Sequence, residues 1–93
     1  MINKASFDRK GIKSEQIRAA RAMIRWTAED LASRADLGVA TIRRAEAVDG
    51  LPQMTVSNLA AVRRTLEGAG IEFIFKEDGA LGVCLRKNLP PVK

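Results

Sequence analysis

The feature that most constrains this chain lies between Thr27 and Gly50. There TAEDLASRADLGVATIRRAEAVDG sets two short helical periods on either side of a break at Asp36-Leu37-Gly38. Thr27 is a good helix N-cap. Asp30, at the third position, can return its carboxylate to the cap amide, and Leu31, Ala32 and Ala35 form the apolar side of a helix over 28–35. At the break, Asp36 tolerates the left-handed conformation that ends a helix, and Gly38 can stand at the next N-cap. Residues 39–47 resume the spacing, with Ile42 and Ala45 inward and Val39, Ala40, Arg43 and Arg44 on the outer and forward surface. A connection this short makes the two helices cross steeply, which requires small residues at the crossing; Ala32, Ala35 and Ala45 meet that need.

The flanks predict more helix and then a change of period. Ser14 reads as the N-cap of a first helix over 14–25, with Glu15 in its first turn, an Ile17, Ala20 and Ile24 stripe, and Met23 beside it. Trp26, the only Trp, is expected to wedge between the first two helices. After Asp49-Gly50 and Pro52, Thr55 caps a fourth helix with a stripe of Val56, Leu59, Val62 or Arg63, and Leu66, ending at Gly68 or Gly70. From Ile71 the period falls to about two: IEFIF over 71–75, the turn Lys76-Glu77-Asp78-Gly79, and LGVCLRK over 81–87 read as a β-hairpin. Ile71, Phe73 and Phe75 share one face, as do Leu81, Val83 and Leu85. A lone hairpin is marginal in water, so this one must pack on the helices or extend its sheet with a second copy of itself. The expected fold is thus mainly α: a basic N-terminal arm over 1–13, a four-helix domain over 14–70, a hairpin over 71–87 for packing or dimerisation, and a tail over 88–93 where Pro90 and Pro91 end regular structure.

Composition narrows the function. Ninety-three residues hold one modest core, and 16 Lys and Arg against 11 Asp and Glu give a net charge of +5, which favours a polyanionic partner. Cys84 is the only cysteine and there is no histidine, which rules out an internal disulfide and a structural zinc site and removes the commonest general base. No cofactor or metal motif stands out and Cys84 has no base to activate it, so the chain reads as a non-enzyme and Cys84 as a strand residue. No apolar run approaches the roughly 20 residues that span a bilayer, and the first residues lack a signal-peptide core, so a cytoplasmic location is expected.

A helix, a short turn and a second helix that exposes its first turn and one flank is the arrangement by which a helix-turn-helix reaches base edges in the major groove. Through TAEDLASRADLGVATIRRAE and the preceding IRAARAMIRW, the sequence resembles the XRE or phage-repressor type of helix-turn-helix regulator over about 14–70. That resemblance implies that Thr27 and Ala28 start a helix lying over the DNA backbone. It implies that Leu31 and Ile42 are core, and that Val39, Ala40, Arg43 and Arg44 lie on a recognition helix. It further implies a clasp between Arg21 and Glu46, which fall where the family pairs an Arg of the first helix with a Glu ending the third. Two positions depart from the family: Asp36 replaces the usual turn Gly, and Val39 and Ala40 stand where polar base readers are common.

Direct readout then falls to Arg43, the side chain type suited to the paired acceptors of guanine, with Arg44 second and Thr41 as a smaller donor, while Val39 and Ala40 suit a thymine methyl. Phosphate contacts are expected from Thr27, Arg25, Gln53, Thr55 and the amides starting the second and third helices, with Arg63 and Arg64 on a solvated face. The expected function is a sequence-specific transcriptional regulator, a repressor, acting on double-stranded DNA as a homodimer at a palindromic operator. The alternative is a protein-interaction module on the same scaffold, an antiactivator or the antitoxin of a toxin–antitoxin pair, that grips a protein partner through the C-terminal hairpin.

Overall fold

A computed structural model describes residues 11–86. Four helices, α1 (Ser14–Ile24), α2 (Ala28–Ala35), α3 (Val39–Glu46) and α4 (Val56–Gly68), precede an antiparallel hairpin of β1 (Ile71–Phe75) and β2 (Leu81–Leu85). Residues 1–10 of the expected arm, and Lys87 with the 88–93 tail, lie outside the described residues.

Each helix starts and stops for a local reason. In α2, Thr27 Oγ1 accepts the Asp30 amide at 3.0 Å while Asp30 Oδ2 accepts the Thr27 amide at 2.9 Å, a reciprocal cap. Asp36 ends α2 with φ of 61°, donating its amide back to Ser33, and Gly38 opens α3 with no side chain to cap it. Thr55 caps α4 by accepting the Asn58 amide at 3.0 Å.

The start of α1 differs from the sequence reading. Lys13, not Ser14, is the N-cap, and its amide donates to Gln16 Oε1 at 2.8 Å. Ser14 is fully buried in the first turn, and its hydroxyl donates to the Ala45 carbonyl at 2.6 Å. A buried hydroxyl facing the end of another helix satisfies an orphan carbonyl there instead of its own helix's amides. The arm boundary shifts for a related reason. Ile12, assigned to the arm, is fully buried, and Gly11 before it has φ of 81° and sits so close to Leu59 that a Cβ would fall 2.9 Å from its Cδ2.

The core is one cluster of Ile12, Ile17, Ala20, Leu31, Ala32, Ile42, Val62, Leu66, Ile71 and Phe73. All four helices and β1 contribute to it, so the hairpin is not an appendage: β2 lies on α1 and β1 on α4. The register pairs Ile71 with Leu85, Phe73 with Val83 and Phe75 with Leu81, which keeps the apolar residues on one face. Lys76 donates to the Ala80 carbonyl and Gly79 to that of Lys76, both at 2.9 Å, with Gly79 at φ of 94°, a type I turn closed by a left-handed glycine. One expected stripe residue falls elsewhere: Val56 stands at the first position of α4 and is 86% exposed. Trp26, as expected, packs against the core from the α1–α2 join, half-buried, with the Arg34 guanidinium 4.6 Å from its ring centroid.

Candidate nucleic-acid interface

Helix α3 is held from behind and bare in front. Ile42 and Ala45 bury its rear, while Ala40, Arg43, Arg44 and Ala47 are exposed on the opposite flank and Val39 and Thr41 are half-buried. Eight residues make a rod about 12 Å long, and its cross-section with side chains, about 10–12 Å, is what the major groove of B-DNA admits.

Two polar clasps fix that rod against α1. Arg21 donates from Nε to Glu46 Oε2 and from Nη2 to Glu46 Oε1, both at 2.6 Å, and from Nη1 to the Trp26 carbonyl at 2.7 Å. The Arg21 and Glu46 side chains are only 22% and 10% exposed, and the bond to Glu46 raises the Arg21 pKa further. Arg18 completes the hold: its Nη1 donates to the carbonyls of Glu46 at 2.7 Å and Val48 at 2.8 Å, and Nη2 pairs with Asp49 at 2.9 Å. Together with the Ser14 hydroxyl, Arg18 and Arg21 bring positive charge and donors to the carbonyl end of α3, where the helix dipole favours them.

The front carries most of the candidate residues. Arg43 and Arg44 are both exposed but differ in partners. Arg43 forms an ion pair with Glu29 in the first turn of α2, the two side chains 58% and 59% exposed, whereas Arg44 has no ion-pair partner among the described residues. Hydrogen bonding by its own backbone amide, and next the Arg43 charge, hold the Glu29 carboxyl below its usual range. Asp30 is lowered by the Thr27 amide. Thr27 is exposed, yet its hydroxyl and amide are already engaged by Asp30, and Ala28 is half-buried. Gln53 is exposed in the loop before α4.

The two ends of this unit differ in charge. The α2 start is acidic and internally satisfied, whereas α3 starts at a glycine with no side-chain cap, so its first amides keep no side-chain acceptor. Sequence reading missed three polar residues here. Gln16 and Arg18 carry a signal, since Gln16 stands four residues before Ala20 on the apolar stripe and Arg18 four after Ser14. Glu29 carries none, because its role depends on how α2 and α3 dock.

Among the described residues no cluster of acidic or Cys side chains could hold a metal ion, and no helix is long and apolar enough to cross a membrane. Comparisons with family models, with curated proteins and with solved structures find no match for this chain.

Proposed function

We propose that this protein is a sequence-specific DNA-binding regulator in which α2, the Asp36–Gly38 turn and α3 form a helix-turn-helix and α3 enters the major groove. The observation that carries this reading is the two-sidedness of α3. Its rear and C-terminal end are fastened by Ile42, Ala45, Arg18 and Arg21, and its exposed flank presents Arg43 and Arg44 beside an uncapped start. A helix that only filled the core would not need a fixed pose with two guanidinium groups turned outward.

Arg44 is the leading base reader on this reading, since no ion pair with another described residue has to break before it meets guanine. Arg43 follows, because Glu29 competes for it. The amides opening α3 and the exposed Arg25 are open to phosphates, whereas the Thr27 amide is held by Asp30 and only its hydroxyl, which accepts the Asp30 amide, keeps an O–H to donate. Selection of bound sequences from a random duplex pool tests the function, with enrichment of a defined site as the expected result. Arg44→Ala should then weaken binding to that site by about 5- to 150-fold, or about 1–3 kcal/mol, and to random duplex far less. Equal losses on both would reduce Arg44 to a phosphate contact, and no enrichment would overturn the reading.

A further inference from the structure

We propose that the outer edge of β2 is an interface for a second copy of this chain, the two β2 strands pairing antiparallel about a twofold axis through Val83. This surface stands independently of what the α2–α3 face binds.

Hydrogen-bond phase shows which backbone groups the edge presents. Lys76 donates to Ala80 at 2.9 Å and Arg86 to Gly70 at 2.8 Å, so the even-numbered residues of the hairpin bond inward across it. Leu81, Val83 and Leu85 therefore aim their amides and carbonyls outward, and no described residue bonds to them. An open edge with apolar residues is a template for another strand. In contrast, β1 lies against α4, whose Arg63 sits 5.9 and 5.7 Å from the Phe73 and Phe75 ring centroids.

The sequence of the edge is complementary to itself. With Val83 opposite its own copy, Leu81 faces Leu85, Gly82 faces Cys84, and Arg86 faces Ala80 one diagonal step from Asp78. No like charges oppose one another, and because Arg86 is already paired with Glu72 of its own hairpin at 2.7 Å, the match rests on the apolar pairs that twofold symmetry repeats at both ends. Beneath the edge runs a groove of about 200 Å³ between Glu15, Gln16 and Ala19 of α1 and Leu81, Gly82 and Val83 of β2. Met23 is 43% and Leu81 41% exposed, and Ala19 and Ala22 are exposed on the same helix. The helix-side leucines and valine of an added β2 strand would cover this apolar strip.

The register predicts a cross-link. Gly82→Cys puts a thiol opposite the native Cys84 of the second copy on the outer face, where Cys84 is exposed. The substitution is compatible with the fold, since a Cβ at Gly82 lies 3.6 Å from Ile74 Cβ, an ordinary contact. Within one chain the two cysteines stand about 7 Å apart along one strand, outside disulfide reach. Mild oxidation of the full chain should convert G82C to a covalent dimer on a non-reducing gel, whereas the wild type, with Cys84 alone, and G82C/C84S should remain uncross-linked. Light scattering should give the wild type a dimer mass, and Leu81→Lys, an edge charge, a monomer mass with an unchanged circular dichroism spectrum. A monomeric wild type at micromolar concentration, a dimeric Leu81→Lys, or G82C cross-linking no faster than the single-cysteine chains would overturn the proposal.

Discussion

Replacing Glu46 with Gln tests how α3 is held. The carboxylate takes two Arg21 donors at 2.6 Å each, in a site where the partners are 22% and 10% exposed. Opposite charges about 4 Å apart attract by roughly 4 kcal/mol at an effective dielectric near 20. Partial exposure of Arg21 and the one acceptor that Gln keeps reduce the expected loss to about 2–3 kcal/mol. For a domain of this size that lowers Tm on the order of 10–20 °C, read by circular dichroism during heating and by urea denaturation. Arg21 also donates to the Trp26 carbonyl, so Arg21→Met should cost more than Glu46→Gln. A double-mutant cycle of the two isolates their coupling, expected near 2 kcal/mol. A loss under about 0.5 kcal/mol for Glu46→Gln, or an additive cycle, would mean that desolvation cancels the attraction and that apolar packing with the Arg18 and Ser14 bonds holds α3 without the clasp.

Two further outcomes follow from polar groups that tie the elements together. Gln16 donates to the carbonyls of Ile74 and Gly82, each at 3.1 Å, so Gln16→Leu should cost about 1–3 kcal/mol and speed hydrogen exchange in β2 ahead of α2 and α3; a uniform change across the chain would contradict this. The lowered Asp30 carboxyl contributes stability that is present above its unfolded pKa and lost as pH falls through the folded value, so the stability gap between wild type and Asp30→Asn should be full at neutral pH and close below about pH 4, and a gap independent of pH would refute the cap as its source.

The elements are legible in the sequence because their signals act over a few residues. The Thr27–Asp30 cap, the left-handed Asp36, the Thr55 cap and the switch from helical to alternating spacing at Ile71 are all local. The Arg21–Glu46 clasp came from likeness to a family's pattern, not from spacing, since nothing local joins those positions. Tertiary structure alone decided the pairings between distant residues: Ser14 turning from cap to donor for Ala45, Gln16 reaching Ile74 and Gly82, and Ile12 joining the core. It also separated Arg43 from Arg44, adjacent in sequence and alike in chemistry, by docking Glu29 against only one of them. The physical reason is common to all of these. Caps and periods compete with alternatives nearby in the chain, whereas the partner of a buried polar group is whichever group the packing of apolar faces brings within about 3 Å.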